Sequence, residues 1–191
     1  MPTTGTDQMT AETITQAALR VVRAHGLDGL TMRRLSTELG CSLGAAYYHV
    51  PSKDALLELM IDSTMGSLPT PGPEAGDWAD RIDKMLVASW QMFARYPGIE
   101  TLRAQGFGQR HADRLRKFTR ARLRDAGIAA KDLPAVEALI AHFGVGVAVA
   151  VSRDDCDRAR VISTATNALH LLLDALRTNA AAASTITPGS C

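Results

Sequence analysis

The chain has 191 residues, of which 46% are hydrophobic and 21% charged, and its formal net charge is +1. This is an ordinary globular composition, long enough for one large domain or two small ones, and the overall charge indicates no particular partner. Aromatic residues make up only 5% and alanine is abundant, which favours packed α-helices over a β-sandwich.

The cysteines and the apolar segments bound the compartment in which the chain works. Cys41, Cys156 and Cys191 are scattered and odd in number, a pattern that fits neither a disulfide framework nor a zinc site but suits a reducing cytoplasm. The opening "MPTTGTDQMTAET" has neither the basic nor the apolar region of a signal peptide. The longest apolar run, "FGVGVAVAV", is shorter than the roughly 18 to 20 residues of a membrane span. We therefore expect a cytoplasmic protein with no membrane partner, no metal site and no cofactor.

Four helices are predicted in residues 10–65, after an arm at residues 1–9 that is expected to be disordered. Each helix has a local start signal and all but the fourth have a local stop signal, because hydroxyl side chains cap helix starts while glycine and proline end helices. The start signals are Thr10, Thr31, Ser42 and Ser52, and the stop signals are Gly26, Gly40 and Pro51.

A break rich in glycine and proline, "GSLPTPGPEAG", separates this region from the rest of the chain. We interpret residues 66–76 as a connection and residues 77–180 as a larger helical domain. Its apolar periodicity predicts helices over about 78–96, from 99, and over about 109–126, 133–152 and 155–178. Residues 181–191 are expected to form a frayed tail. The predicted fold is all-α, with a small N-terminal domain and a larger C-terminal one.

A short helix, a glycine turn and a second short helix are the ingredients of a helix-turn-helix, although two short helices alone are a weak signal. The order of the residues is more specific. It places Gly29-Leu30-Thr31 before the first of these helices, Gly40 and Ser42 at the turn, and Tyr47, His49, Val50 and Lys53 beyond it. In this order "LTMRRLSTELGCSLGAAYYHVPSKDALL" resembles the DNA-binding signature of the tetracycline-repressor (TetR) family of bacterial transcription regulators. The Tyr-aromatic-His-Val run is most similar to the tetracycline repressor branch.

The resemblance implies a role for each residue of this segment. Arg33 matches a position that faces base edges, where a guanidinium can bond to guanine O6 and N7 together, while Arg34 is expected on a solvated face. We expect Tyr47 to pack its ring against the first helix and Tyr48 to be the more exposed. The positions that match DNA-backbone contacts are Thr31, Tyr47, Tyr48, His49 and Lys53; the further base-facing positions are Leu43, Gly44 and Ala45, and Ser42 belongs to the same surface at the turn.

Charge argues that one copy of this small domain binds DNA poorly. Residues 1–60 contain five arginines and lysines against six aspartates and glutamates, so the positive surface must come from local placement. Two copies double the phosphate contacts, which favours a homodimer on a two-fold operator.

The resemblance implies that the larger domain dimerises and holds a small-molecule inducer. The two last helices carry small residues at helical spacing, a pattern that fits a dimer face and a monomer core equally well; the resemblance favours the dimer. These residues are Ala138, Ala141, Gly144, Val145 and Ala148, followed by Ala165, Ala168, Leu172 and Ala175. Aromatics with a few polar groups are typical of ligand sites, although most such residues are simply core. The candidates are Trp90, Met92, Phe93, Leu102, Phe107, Phe118, His142 and Phe143.

The leading hypothesis is therefore a ligand-responsive DNA-binding repressor, with operator DNA, an inducer and a second copy of the chain as partners. A redox-sensing regulator that acts through Cys41 or Cys156 is an alternative, although Cys41 at the turn is expected to be a small buried hydrophobe. A small-molecule enzyme is a further alternative that lacks a nucleophile–base pair or a phosphate loop. The end of the fourth helix, "STMGSLPTPG", has no histidine, which argues against the magnesium-chelated tetracycline of the branch that the segment resembles. The basic run over residues 103–124 is interpreted as a solvated helix face.

Overall fold

A computed structural model of the chain describes residues 9–153 and 155–185, with side chains described as far as residue 179. Nine α-helices and no strand occur in that part of the chain, which confirms the predicted all-α fold. The chain divides into two compact units, residues 1–67 with 95–108, and residues 68–94 with 109–191. The predicted arm at 1–9, except for residue 9, and the tail beyond residue 185 lie outside the described residues.

The first unit contains five helices. They are α1 (Ala11–His25), α2 (Met32–Leu39), α3 (Leu43–His49), α4 (Lys53–Gly66) and α6 (Ile99–Ala104). The hydroxyls of Thr10, Thr31, Ser42 and Ser52 each accept a backbone N–H from the third residue beyond. The start of every one of the four N-terminal helices is therefore fixed by its own sequence.

The core of the first unit forms where α1 packs on α2 and α4, and α2 on α3. Val22, Leu35 and Met60 are fully buried there. The sequence boundary at 66–76 misses the fact that residues 95–108 belong to this unit. Two glycines with left-handed backbone explain the attachment, since Gly98 (φ 92°) lies against Leu27 and Gly108 (φ 68°) against Ile61, closer than any larger residue could approach.

The second unit contains four long helices. They are α5 (Trp78–Arg95), α7 (Gln109–Asp125), α8 (Leu133–Val151) and α9 (Arg158–Thr185). The predicted connection contains a short 3₁₀ turn, Pro73–Ala75, and cations bond its carbonyls: Arg81 to Pro71 at 2.8 Å and Lys84 to Ala75 at 2.5 Å.

The last helix differs from its predicted span of 155–178 at both ends. It begins at Arg158 because Asp157 accepts the backbone N–H of Arg160 at 3.1 Å, whereas Asp155 is occupied by the guanidinium of Arg153. It continues to Thr185, through an alanine run of high helix propensity that the sequence analysis assigned to a frayed tail.

A tryptophan fixes the packing of α5 on α8 inside the second unit. Trp90 is fully buried, its indole N–H donates to the carbonyl of Gly144 at 3.1 Å, and its ring meets Phe143 edge-on at 5.8 Å. A Cβ added at Gly144 would lie 3.2 Å from the side chain of Leu86. The small residue at 144 therefore serves close packing within the chain and not, as the sequence analysis placed it, a dimer face.

Among the helices in the described residues, α8 alone is long and apolar enough to cross a membrane, judged by length and composition only. Of its most apolar 18 residues, 28% are buried inside the protein. The apolar run "FGVGVAVAV" is thus part of a longer apolar helix, in which Glu137 and His142 interrupt the apolar residues. Its one acidic residue, Glu137, is buried and accepts two bonds from Arg120 of α7, at 2.5 and 2.6 Å. These bonds hold the pKa of Glu137 below its ordinary range, against the effect of burial.

The exposed face of α8 is apolar, whereas that of α9 carries one large apolar side chain among polar ones. Leu139, Val145 and Val149 of α8 are each at least half exposed, and Leu171 of α9 is 74% exposed. By contrast Ala148 and Ala165, which the sequence analysis assigned to a dimer face, are buried inside the unit. Helical periodicity could not distinguish a core face from an outer face on α8, because both faces of that helix are apolar, and on α9 alanines lie on both the inner and the outer side.

Candidate functional site

The turn between α2 and α3 is built around a glycine. Gly40 has left-handed backbone (φ 65°, ψ 29°), and the N–H of Cys41 returns to the carbonyl of Ser36 at 3.0 Å. This closes α2 with the hydrogen-bond pattern that requires glycine at this position. Ser42 then begins α3 at once, with its hydroxyl 3.1 Å from the N–H of Ala45. The two helices are thus held in a defined helix-turn-helix.

The two adjacent arginines of α2 differ in their surroundings. Arg34, predicted on a solvated face, is exposed, and it donates to the carbonyl of Gly29 at 2.9 Å, so it braces the turn before α2. Arg33 is exposed, and its guanidinium has no hydrogen bond or ion pair with any residue that the structure describes. It is therefore available to a molecule outside the chain.

Gly29 lies where the chain passes close to the end of α1. A Cβ added there would lie 2.5 Å from the carbonyl oxygen of His25 and 2.9 Å from the guanidinium of Arg34. Only glycine allows the chain to pass this close to the end of α1 and still offer its carbonyl to Arg34. Neither composition nor helical periodicity predicts this close contact between Gly29 and His25.

The outer face of α3 is unusually aromatic for a surface. Tyr48 is 86% exposed and Tyr47 46% exposed, in the predicted order. The ring of Tyr48 meets that of His49 edge-on at 5.2 Å, and Lys53 is exposed at the start of α4. The face therefore offers two phenol hydroxyls, an imidazole and an ammonium group, each suited to hydrogen bonding with an anion.

Opposite charges are paired on the neighbouring surface. Arg20 of α1 donates to Glu38 of α2 at 2.5 Å, with both side chains partly exposed. The pair neutralises an acidic group of α2, which would otherwise repel a polyanion.

Thr31 is exposed, but its hydroxyl oxygen already accepts the N–H of Arg34 at 3.1 Å. The hydrogen of this hydroxyl remains available as a donor.

The predicted ligand-lining residues are divided between the two units. Trp90 and Phe93 of α5 are buried and Phe143 lies against Trp90, all in the second unit. Leu102, which is buried, and Phe107, which is half-buried, belong to the first unit. The interior part of the predicted lining within the second unit is therefore the aromatic group around Trp90.

Two other predicted lining residues do not face that interior. Phe118 of α7 is half-buried and lies between two guanidiniums, Arg81 at 5.8 Å and Arg122 at 5.3 Å from its ring centre, which is a cation–π arrangement. His142 is exposed on α8, on the apolar outer face of that helix. The helical turn that directs Phe143 to Trp90 directs His142 outward, and its assignment to the lining is corrected accordingly.

The remaining candidates have local partners. Cys41 is half-buried and not the fully buried residue that was expected, and the thiol of Cys156 donates to the carbonyl of Arg153 at 3.2 Å. Within the described residues, no group of three or more His, Cys, Asp or Glu side chains could hold a metal ion. The basic α7 is largely paired with its own surroundings through Arg116–Asp113, Arg120–Glu137 and Arg122–Asp125.

Comparison with known sequences identifies the same segment. The family model described as bacterial regulatory proteins, tetR family, matches residues 14–60. The chain is 31% identical over 152 residues to the tetracycline repressor protein class A from transposon 1721 of Escherichia coli, covering 76% of this chain and 68% of that protein. It is 32% identical over 92 residues to the HTH-type transcriptional repressor DrrR1 of Streptomyces coeruleorubidus, covering 48% of this chain and 34% of that protein. The chain thus spans about a third of the length of DrrR1.

Comparison with solved structures extends the likeness to most of the chain. BioQ with its natural double-stranded DNA operator has a TM-score of 0.67 at 24% identity, covering 90% of this chain and 99% of that one. ActR from Streptomyces coelicolor in complex with actinorhodin has a TM-score of 0.63 at 27% identity, covering 83% of this chain and 75% of that one. Both units of the chain are therefore included in the structural match.

Proposed function

Because the chain belongs to the tetR family of bacterial regulatory proteins, we propose that it is a repressor that leaves its operator when a small molecule binds. The observation that carries the proposal is the exposed face of the helix-turn-helix. There Arg33 has no partner among the described residues. Two exposed tyrosines and an exposed histidine lie on α3, and an exposed lysine begins α4.

In this proposal each side chain of the face has a separate part. Tyr47, Tyr48, His49 and Lys53 bond to phosphates, which positions the domain on DNA without reading sequence. Arg33 reads a guanine edge through both of its parallel N–H groups. The hydroxyl of Ser42 is already engaged with Ala45, so Ser42 contributes by fixing the start of α3.

A mobility-shift assay with the DNA upstream of the gene tests the DNA-binding part. Tyr48→Phe removes one hydroxyl and nothing else. If that hydroxyl bonds to a phosphate in each half-site, the loss is about 1 kcal/mol per site, or roughly 30-fold over two sites. Tyr96→Phe is the matched control, since Tyr96 is half-buried and outside α3. Equal binding by the two variants would remove Tyr48 from the contact surface.

The proposal includes a homodimer formed by the outer faces of α8 and α9. Four large apolar side chains are at least half exposed on these helices, namely Leu139, Val145, Val149 and Leu171, and exposed apolar side chains that lie together mark interaction sites. A two-fold arrangement of two helices from each copy gives a four-helix bundle. It would hold two reading helices about one turn of DNA apart, roughly 34 to 36 Å.

The inducer in this proposal binds beside the aromatic group around Trp90. Release of DNA requires that the inducer bind one arrangement of the dimer more tightly than the other. A ligand that enters beside Trp90 would disturb its bond to Gly144 (3.1 Å) and change its fluorescence. In a Trp78→Phe background Trp90 is the single tryptophan, because the chain has two. A compound that releases operator DNA without changing this fluorescence would place the inducer elsewhere.

A further inference from the structure

The opening turn of α3 has an exposed surface that cannot donate or accept hydrogen bonds through side chains. Leu43 is 40% exposed, Gly44 is exposed and Ala45 is half-buried. The N–H of Ala45 is already bonded to Ser42. An exposed leucine beside a glycine, on a surface otherwise lined by Arg33, Tyr48 and His49, requires an explanation.

The fold gives no reason for glycine at position 44. A Cβ added there would meet only the hydroxyl oxygen of Ser42, at 4.0 Å, and the backbone lies outside the left-handed region. By contrast Gly40 has a φ of 65°, and a Cβ at Gly29 would strike the carbonyl oxygen of His25. Glycine inside a helix lowers stability relative to alanine. Its presence at 44 therefore points to something outside the chain that approaches the helix closely.

Major-groove chemistry narrows what that something is. In a helix-turn-helix the first residues of the second helix face base edges. Every base presents hydrogen-bonding atoms in the major groove, and thymine alone adds a methyl group, at C5. A surface made of Leu43, bare backbone at Gly44 and the methyl of Ala45 complements that methyl group, because it offers no side-chain donor or acceptor to the polar base edges.

We propose that Leu43, Gly44 and Ala45 together read a thymine methyl group in each half of the operator, and that position 44 must be glycine so that the methyl can reach the helix. The inference rests on the proposed DNA-binding function and adds the chemical nature of a base that the operator must contain. It assigns Arg33 and this apolar surface to different base pairs, one polar and one apolar.

The test uses the full-length wild-type chain and an operator selected from random double-stranded DNA. Each thymine of the selected operator is replaced by deoxyuridine, which removes the C5-methyl and leaves every hydrogen-bonding atom unchanged. We expect one thymine position in each half-site at which the replacement weakens binding about fourfold, and about fifteenfold when both half-sites are replaced, as for the loss of one buried methyl group per contact.

Two variants assign the effect to this surface. Leu43→Ala should bind the thymine and deoxyuridine operators with nearly equal affinity, because the coupling between side chain and methyl is lost. Gly44→Ala should raise the melting temperature by about 1 to 4 °C, which shows that the variant is folded, while it weakens operator binding about tenfold or more.

The outcomes separate this inference from the function on which it rests. Failure to select any DNA sequence would remove the DNA-binding function and the inference with it. A specific operator without a methyl-sensitive thymine would overturn the inference alone. So would a Gly44→Ala variant that binds the operator as tightly as the wild type, or a Leu43→Ala variant that keeps the full deoxyuridine penalty.

Discussion

The substitution Leu171→Lys should dissociate the proposed homodimer. Leu171 is 74% exposed on one copy of the chain, and a fully buried leucine contributes about 1.5 to 3 kcal/mol. If the dimer covers the exposed three-quarters, the two copies together lose about 2 to 4 kcal/mol, which raises the dimer dissociation constant roughly 30-fold to 700-fold. The buried ammonium group adds a further cost.

Sedimentation-equilibrium ultracentrifugation measures this dissociation constant directly. The matched control is Leu43→Lys, which makes the same change at an exposed leucine of the first unit and should leave the constant unchanged. A melting curve of Leu171→Lys verifies that the second unit remains folded. A folded Leu171→Lys variant with the dimer constant of the wild type would refute the reasoning that assigns the outer face of α9 to the interface.

Two further predictions concern stability. Gly29→Ala should lower the free energy of unfolding by about 1 to 3 kcal/mol in urea titration, because the new Cβ would lie 2.5 Å from the carbonyl oxygen of His25; an unchanged urea midpoint would mean that the loop yields without strain. Bonds from Arg120 hold the pKa of Glu137 below its ordinary range, so the pair stabilises the fold above roughly pH 4.3, the ordinary glutamate pKa, and this contribution is lost as pH falls through the lower pKa of the folded state. Glu137→Gln should lower the free energy of unfolding by about 1 to 2 kcal/mol at pH 7. In thermal melts this variant should lose less stability than the wild type between pH 5 and 3. If the two proteins lose stability in parallel, other carboxyl groups determine acid unfolding.

The sequence was sufficient for the helix-turn-helix because its signals are local. Thr31, Ser42 and Ser52 each satisfy a backbone N–H three residues away, and Gly40 supplies a backbone conformation that few other residues adopt. Because such hydrogen bonds join residues close in sequence, they need the same residue types at the same spacing in every protein, and a single sequence reveals them. The prediction that Tyr48 is more exposed than Tyr47 concerns two neighbouring residues of the same short helix, and it agrees with the structure.

The sequence was not sufficient where the answer depended on contacts distant along the chain. Residues 95–108 belong to the first unit through Gly98 and Gly108, which no periodicity reveals. Ala148 is buried and Leu171 exposed, the reverse of what residue size suggests, because apolar residues lie on both the inner and the outer side of each of these helices. The pocket assignment failed at His142 for the same reason, since an apolar helix gives no indication of which side faces the interior.

In the proposed function Arg33, which has no hydrogen bond or ion pair with the described residues, reads the operator. Fluorescence anisotropy with a selected operator, comparing Arg33→Ala with Arg124→Ala, tests it most directly, because Arg124 is an exposed arginine of α7 in the other unit and both changes remove one positive charge. A bidentate guanine contact is worth about 1 to 3 kcal/mol. We expect Arg33→Ala to weaken binding by at least about 30-fold over two half-sites and to lose discrimination at one guanine in each, while Arg124→Ala binds within about threefold of the wild type. Equal affinities and equal base preferences for the two variants would contradict the account.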